Sequence, residues 1–530
     1  MIFHMDFNHV SLRKEYICRW LERLSDMGYN AILWEIEDKV QLETCSDVIW
    51  PEALSKNEFR SILNYSRKLG LEPIPLLQTI GHAEYILKHD AYCHMRELKN
   101  RHDCYCTSNL DVRSFLKNMA EEYLDMFGDI QHFHIGGDEA YIFASCPKCK
   151  AAAERLNSNS LYAEHIIDIA QPIIARGVRP GIWSDMMLSH PENIEYIPKN
   201  LAIWDWNYWD GDINPEAVMV WGRGRITKEQ VSEVEKKTLP EIMDSEGNLR
   251  SFYTTDVLRR LGYDVFICSS TRSFGDTVFC GSHDIHSHNV IGAAQKGRRS
   301  GLMGHCVTSW AVRIFNLDIQ EAWLAMASEC STSPETQYED ITFQVGEKIF
   351  GINPKEFYDA IEKVATKIPF AVSGHDSGVQ WSGLKDSLPA PANHIKSIFE
   401  KWKNEDNGKR YEEKKQELKE ALLKIPQGQA KLENFTEQVT TSRGKNFCKQ
   451  WLIAAKFQMR TAKMVERAFK RFENGFDKID QQGYNEIMRI RKDFENWLLY
   501  WMTPQSAKLN SELVFNPLAE WFKTTPNLHP

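Results

Sequence analysis

The sequence predicts an α/β fold, a (β/α)8 TIM barrel followed by an α-helical C-terminal domain, and three observations carry that prediction. Eight short β-rich runs alternate with amphipathic helical stretches through roughly the first 330 residues, which is the pattern of parallel βαβ units in the number that a closed barrel needs. Beyond about residue 335 the period-two signal disappears and helical periodicity takes over. The chain is 530 residues long, which accommodates a barrel over 1–331 and a second domain over 332–530.

The candidate strands are 2–7, 31–36, 72–77, 131–136, 179–184, 201–206, 264–269 and 302–309. After the first, Tyr16, Ile17, Trp20, Leu21, Leu24 and Met27 keep a three-four spacing, and Gly28 stops the helix. Ser55 and Glu58 form a capping box ahead of Phe59, Ile62 and Leu63. Residues 111–127 place Phe115, Met119 and Leu124 on one face, and 147–176 read as one long helix opened by Pro147. The charged stretch 210–250, with Gly222, Arg223 and Gly224 inside it, breaks the rhythm and reads as an insertion on a barrel loop. Further on, Leu452, Ala455, Met459, Ala462 and Val465 form one helical stripe, and Ile487, Ile490, Phe494, Trp497 and Trp501 form another.

Composition narrows the function classes. Acidic residues outnumber basic ones 73 to 64, for a net charge of −9, and no Lys/Arg tract follows a phosphate backbone, which argues against nucleic acid as a partner. No run of about 18 apolar residues spans a bilayer. The first residues lack the basic flank and apolar stretch of a secretory leader, so the expectation is a cytoplasmic protein, or one whose leader lies upstream of this chain. The 12 Cys keep no framework spacing, and Cys18, Cys268, Cys306 and Cys330 fall in apolar runs as small buried hydrophobes. Cys104, Cys106, Cys146 and Cys149 supply four thiols at short spacings, as structural zinc sites do. Two unrelated loop pairs, or a redox-labile disulfide, is the plainer reading, because C-x-C is not the usual zinc spacing.

The strongest local feature is His134-Ile135-Gly136-Gly137-Asp138-Glu139-Ala140, at the C-terminal end of the fourth candidate strand. That end is the active-site face of a barrel. Neighbouring strand residues point to opposite sides, so Asp138 and Glu139 can share a pocket only if the backbone leaves strand geometry, as the two glycines permit.

This heptapeptide resembles the signature of glycoside hydrolase family 20, the β-N-acetylhexosaminidases, and its surroundings are most similar to the hexosaminidase D branch. Supporting pieces are His4-Met5-Asp6, Glu35-Ile36-Glu37-Asp38, Gln78-Thr79-Ile80-Gly81-His82, Leu87-Lys88-His89, Cys106-Thr107-Ser108-Asn109, Trp183-Ser184-Asp185-Met186, Trp204-Asp205, and Thr308-Ser309-Trp310 with Glu321 beyond. The resemblance implies exo-hydrolysis, with retention, of terminal β-linked N-acetylgalactosamine or N-acetylglucosamine, without a catalytic metal or cofactor. It also implies that the substrate's own acetamido oxygen attacks the anomeric carbon to give an oxazolinium intermediate. In that scheme Asp138 orients the acetamido N–H, and Glu139 protonates the leaving oxygen and then activates water. A carboxylate at 138 and aromatic walls both disfavour a second negative charge, which suits Glu139 to proton delivery.

By the same resemblance Trp183, Trp204 and Trp310 form a sugar cage. Tyr208 donates to the acetamido carbonyl, and Asp210 binds a sugar hydroxyl unless Trp206 takes that register. Trp34, Trp206 and Trp209 also sit at strand ends, and two of these six are expected to be rim core. The sequence departs from the family in two places. Gln78 stands where an Asp commonly supports the relay histidine, leaving His82 either as a contact of Glu139 or as a merely buried imidazole. The first-strand Arg that holds sugar hydroxyls is absent, leaving Asp6, Glu37, Asp38 and Arg313 as candidates, with Glu321 carried over beyond Trp310. These departures motivate an alternative, a carbohydrate-binding pseudoenzyme of the same fold without turnover. A histidine-based metallohydrolase is disfavoured by the lack of H-x-H or H-E-x-x-H at a strand end.

Overall fold

A strand covered by helices on one side and by the barrel interior on the other is buried on both faces, so it reads as a continuous apolar run. In the computed structural model, which describes residues 1–156, 158–189, 194, 196–310, 316–372 and 394–525, eight such runs close a parallel barrel. Chain order gives β1 Ile2–Asp6, β2 Ala31–Glu35, β3 Glu72–Leu76, β4 His132–His134, β5 Arg179–Trp183 and β6 Ala202–Trp206. Two hairpin strands outside the barrel follow, β7 Ala217–Val220 and β8 Gly224–Thr227, and then β9 Asp264–Arg272 and β10 Gly304–Ser309. Closure pairs β1 with β10 through Ile2 to Cys306 and Phe3 to Val307.

The elements follow local sequence. Ser55 accepts from the Glu58 N–H, and the Glu58 side chain reaches back, closing the expected capping box of the helix Lys56–Lys68. The helix Lys14–Asp26 buries Tyr16, Ile17, Trp20, Leu21 and Leu24. Within the expected helical stretch 147–176 the described residues form the helices Pro147–Leu156 and Ser158–Ala175, and residue 157 lies outside the described residues. Segment 210–250 leaves the barrel as expected, carrying the β7–β8 hairpin. It buries a small core of its own around Val218, Ile226, Ile242, Leu249 and Val257.

The C-terminal part contains the helices Lys409–Gln438, Ser442–Glu473, Gln481–Leu498 and Pro504–Lys523. Their apolar faces join the outer barrel core in one continuous cluster that includes Trp20, Trp323, Trp451 and Phe494. The loop after β1 is stitched to this region by hydrogen bonds. Arg13 N–H donates to Trp501 O at 2.9 Å, Thr503 N–H donates to Ser11 O at 2.9 Å, and the Asn510 amide donates to His9 O at 3.1 Å.

Glu321 belongs to this junction. Its two oxygens accept from Arg23 Nη1 at 3.0 Å and from Arg443 Nε at 2.5 Å, joining the first barrel helix to the helix Ser442–Glu473. Both oxygens are thus engaged outside the site, which corrects the expectation that Glu321 binds sugar. Glu321→Ala removes the shared partner of two part-exposed guanidinium groups. The expected cost is about 1–3 kcal/mol, read as a lower urea midpoint at unchanged slope.

Candidate active site

The site is built on the turn that ends β4. Gly136 and Gly137 both take positive φ, 65° and 92°, conformations that glycine adopts without steric cost. The Gly136 N–H donates to His134 Nδ1 at 3.0 Å. Burial pushes the His134 imidazole well below its usual range, so its neutral ring serves as the acceptor that fixes the turn. The Tyr162 hydroxyl donates to Gly137 O at 2.9 Å, and Trp183 N–H donates to Gly136 O at 3.1 Å. Glu139 itself sits at φ 43°, a strained value for a residue with a side chain and of the kind stored at functional sites.

The turn brings Asp138 and Glu139 to one imidazole. His82 Nε2 lies 3.2 Å from Asp138 Oδ2 and 3.5 Å from Glu139 Oε2. His82 is therefore in contact with both acids, not a core histidine apart from them. It stands on the β3 loop, also at positive φ, 54°. The two loops touch so closely at Gly81 that a Cβ there would lie 2.4 Å from Asp138 O. Asp138 is buried, while Glu139 is the more open acid, with a side chain 32% exposed. The Tyr141 hydroxyl donates to Glu139 Oε1 at 2.6 Å. Asp138 Oδ1 is buried and has no hydrogen-bond partner among the described residues.

A buried carboxylate, Glu35 of β2, stands beside Gln78. Glu35 accepts from Gln78 Nε2 at 2.8 Å and bonds to His4 Nε2 at 2.9 Å. Burial pushes the Glu35 carboxyl up, yet the hydrogen bond and charge of His4, the Gln78 amide and the charge of His82 outweigh it. The carboxyl is held below its ordinary value. Gln78 thus donates to a carboxylate of the adjacent strand.

A third acid was not singled out as a site residue. Asp185 Oδ2 accepts from Glu139 N–H at 3.0 Å, and Oδ1 accepts from Trp206 Nε1 at 3.2 Å. Burial first, and then the charge of Asp138, push its carboxyl up to about 8, against these two donors. Only the quoted Trp183-Ser184-Asp185 match pointed to it.

The aromatic residues divide. Trp183, Trp204, Trp206 and Tyr208 share the cluster inside the barrel, and Trp209, Trp221 and Trp310 pack on it. Trp183 lies 6.1 Å from Trp310 and 4.2 Å from His134, ring centre to ring centre. Trp204 stacks on Phe266 at 4.3 Å and fills the interior. Trp34 packs edge-on against Phe59 at 5.5 Å, in the layer between strands and helices. Both are core, which for Trp204 corrects the expectation that it belongs to the sugar cage. Trp221, from the turn of the β7–β8 hairpin, reaches Trp206 at 4.5 Å; its place in the insertion hid it from strand-end reasoning. The Tyr208 hydroxyl is buried near Thr308 and Trp310 and completes no hydrogen bond among the described residues.

The remaining candidates scatter. Asp210 Oδ2 accepts from Phe252 N–H at 2.8 Å, holding the start of the helix Tyr253–Arg260. Asp6 accepts from Asn8 N–H at 2.6 Å. Glu37 is pushed well above the ordinary carboxylate range by burial and then by Glu35. Asp38 pairs with Lys39. Glu37 and Asp38 line a small rim cavity with His9, Trp50, Glu84 and Leu509, and neither Asp138 nor Glu139 belongs to that lining. Arg313 lies outside the described residues. The cluster that could hold a metal is Glu97, Cys106, Cys146 and Cys149. Cys104 is not part of it, and Glu97 stands in its place in the four-thiol set that the sequence offered as the less plain reading.

A closed parallel barrel with paired acids at the C-terminal end of a strand defines the class, a (β/α)8 barrel with its candidate site on the strand-end face. Residues 16–226 match the family described as glycosyl hydrolase family 20, catalytic domain. Over 200 residues it is 28% identical to hexosaminidase D of Homo sapiens, covering 36% of this chain and 40% of that protein. Over 229 residues it is 26% identical to hexosaminidase D of Bos taurus, covering 41% and 66%. The chain thus spans less than two thirds of the length of each of these relatives. Among solved structures, the β-N-acetylhexosaminidase of Bacteroides fragilis NCTC 9343 aligns at 17% identity and TM-score 0.43, over 61% of this chain and 64% of that one. The chitobiase of Flavobacterium johnsoniae aligns at 13% and 0.47, over 97% and 77%.

The Asp185 environment predicts a pH effect. With a folded value near 8 against an ordinary 3.8, the folded chain holds a proton that the unfolded chain releases, so this group's contribution to stability falls as pH rises through that window. Asp185→Asn removes the dependence. The stability of the variant relative to wild type is expected to be greater at about pH 8 than at about pH 5, measured as paired urea midpoints.

Proposed function

We propose that the protein is an exo-acting, retaining β-N-acetylhexosaminidase that hydrolyses terminal β-linked N-acetylgalactosamine or N-acetylglucosamine by substrate assistance. The observation that carries this reading is a pair of buried polar atoms left for a ligand, Asp138 Oδ1 and Tyr208 Oη. One accepts and the other can donate, which is what an acetamido group requires for its N–H and C=O. A buried polar atom without a partner costs about 1–3 kcal/mol, a cost that ligand binding at these atoms removes.

The chemistry then follows from the acids. Both contact one His82 nitrogen, so the two acids act on one small volume. Asp138 holds the acetamido N–H, so the carbonyl oxygen faces the anomeric carbon. As that oxygen bonds to carbon, the glycosidic bond breaks and Glu139, the more open acid, gives its proton to the departing oxygen. The oxazolinium formed is cationic, and the Asp138 carboxylate beside it is a fixed counter-charge. Glu139, now a carboxylate, takes a proton from water as the water adds to the anomeric carbon and restores the acetamido group with retained configuration. Tyr141 and His82 hold the two Glu139 oxygens throughout. Trp183 and Trp310 supply apolar surface against which the acetamido methyl excludes water.

Turnover of aryl β-N-acetylgalactosaminide and β-N-acetylglucosaminide, inhibited by an acetamido-thiazoline, tests the proposal. Glu139→Gln is expected to lower kcat by about 10²–10⁴-fold, and Asp138→Asn by about 10²–10³-fold. Sugar binding without turnover by wild type would leave the binding-protein alternative standing and refute the enzyme reading. Tyr208→Phe removes one donor and is expected to lower kcat/KM by about 10–100-fold, with a smaller effect on the melting temperature.

A further inference from the structure

Outside the reacting centre the most concentrated set of metal-binding atoms is the buried group Glu97, Cys106, Cys146 and Cys149. Its ligand atoms all lie within 4.8 Å of one another. The sulfur of Cys106 is 3.6 Å from that of Cys146 and 3.6 Å from that of Cys149, and Cys149 Sγ is 3.2 Å from Glu97 Oε2. A sulfur bound at about 2.3 Å to tetrahedral zinc lies roughly 3.8 Å from the next sulfur, and about 3.5 Å from a carboxylate oxygen bound at about 2.0 Å. These three distances are close to the edges of a zinc tetrahedron, and the Cys106 sulfur stands well beyond the roughly 2.05 Å of a disulfide from either partner.

The surroundings suit a cation with anionic ligands. Cys146 stands just before the helix Pro147–Leu156 and Cys149 lies in its first turn, where the helix dipole favours negative charge. The Cys149 N–H donates to Cys146 Sγ at 3.3 Å, and the Cys146 N–H donates to Glu97 Oε1 at 2.8 Å. These are second-layer bonds of the kind that orient metal ligands. The other two ligands are set by a short antiparallel contact, with Glu97 N–H donating to Cys104 O at 2.9 Å and Cys106 N–H to Met95 O at 2.8 Å. The Cys104 sulfur turns toward Tyr105 O instead.

We propose that Glu97, Cys106, Cys146 and Cys149 form a structural zinc site. It clamps the segment after β3, which also carries His82, to the loop after β4, which carries Glu139 and Tyr141. The four ligands fill a tetrahedral shell, as in a structural rather than a catalytic zinc site. The proposal does not depend on glycosidase activity, so its test is independent of the function proposed above.

The test is the metal content of the full-length chain, purified under reducing conditions and dialysed, by inductively coupled plasma mass spectrometry. The expected result is about one zinc per chain, retained in Cys104→Ala and reduced at least about tenfold in Cys149→Ala. Because Cys149→Ala can fail to fold, wild type is also exchanged into Co²⁺. Intense visible bands of tetrahedral cobalt with sulfur-to-metal charge transfer are expected. Substoichiometric metal in the reduced wild type, an octahedral cobalt spectrum, or loss of zinc in Cys104→Ala would each overturn the proposal.

Discussion

The site depends on one backbone constraint, the left-handed turn at the end of β4. In a continued strand Asp138 and Glu139 would point to opposite sides of the barrel wall. Positive φ at Gly136, Gly137 and Glu139 instead delivers both acids to His82. The neighbouring β3 loop is pressed against this turn, with room for no Cβ at Gly81. The turn is held by side chains from several directions, the His134 ring, the Tyr162 hydroxyl and the Asp185 carboxylate on Glu139 N–H. Strained backbone of this kind persists only where its surroundings over-determine it.

Around the turn, charge is distributed so that neighbouring acids have different environments. Glu35 is paired and hydrogen-bonded, and its carboxyl stays low. Asp185 is buried beside Asp138, and its carboxyl is pushed up. Asp138 keeps one oxygen on His82 and one without a partner among the described residues. Acids in such different environments can serve as orienter, acid and support within one pocket. The C-terminal helices contribute indirectly. They bind the loop after β1 through Trp501, Thr503 and Asn510, and through Glu321 they fasten the first barrel helix.

Much of this was legible in the residues. The eight strands were, because apolar runs and helical stripes are local patterns. Asp138, Glu139 and the glycine turn were too, because they are contiguous. What escaped was set by contacts between distant segments. Gln78 suggested only a missing carboxylate, and its amide donates to Glu35 on the adjacent strand. Asp185 acts on a backbone N–H 46 residues away in sequence, which no spacing rule reveals. Cys104 shares a C-x-C with Cys106 but turns away, and Glu97 enters the cluster from across a two-stranded contact. Trp204 lies at a strand end, but with Phe266 beneath it the ring packs into the interior.

The central claim is that this turn aims a pair of close acids at a substrate whose own acetamido group reacts. The stereochemistry of the first product tests that most directly. Proton NMR of an aryl β-N-acetylhexosaminide during early turnover is predicted to show the β-anomer of the free sugar first, followed by slow mutarotation. Initial release of the α-anomer would mean direct attack by water on the glycosidic carbon, and would contradict the account.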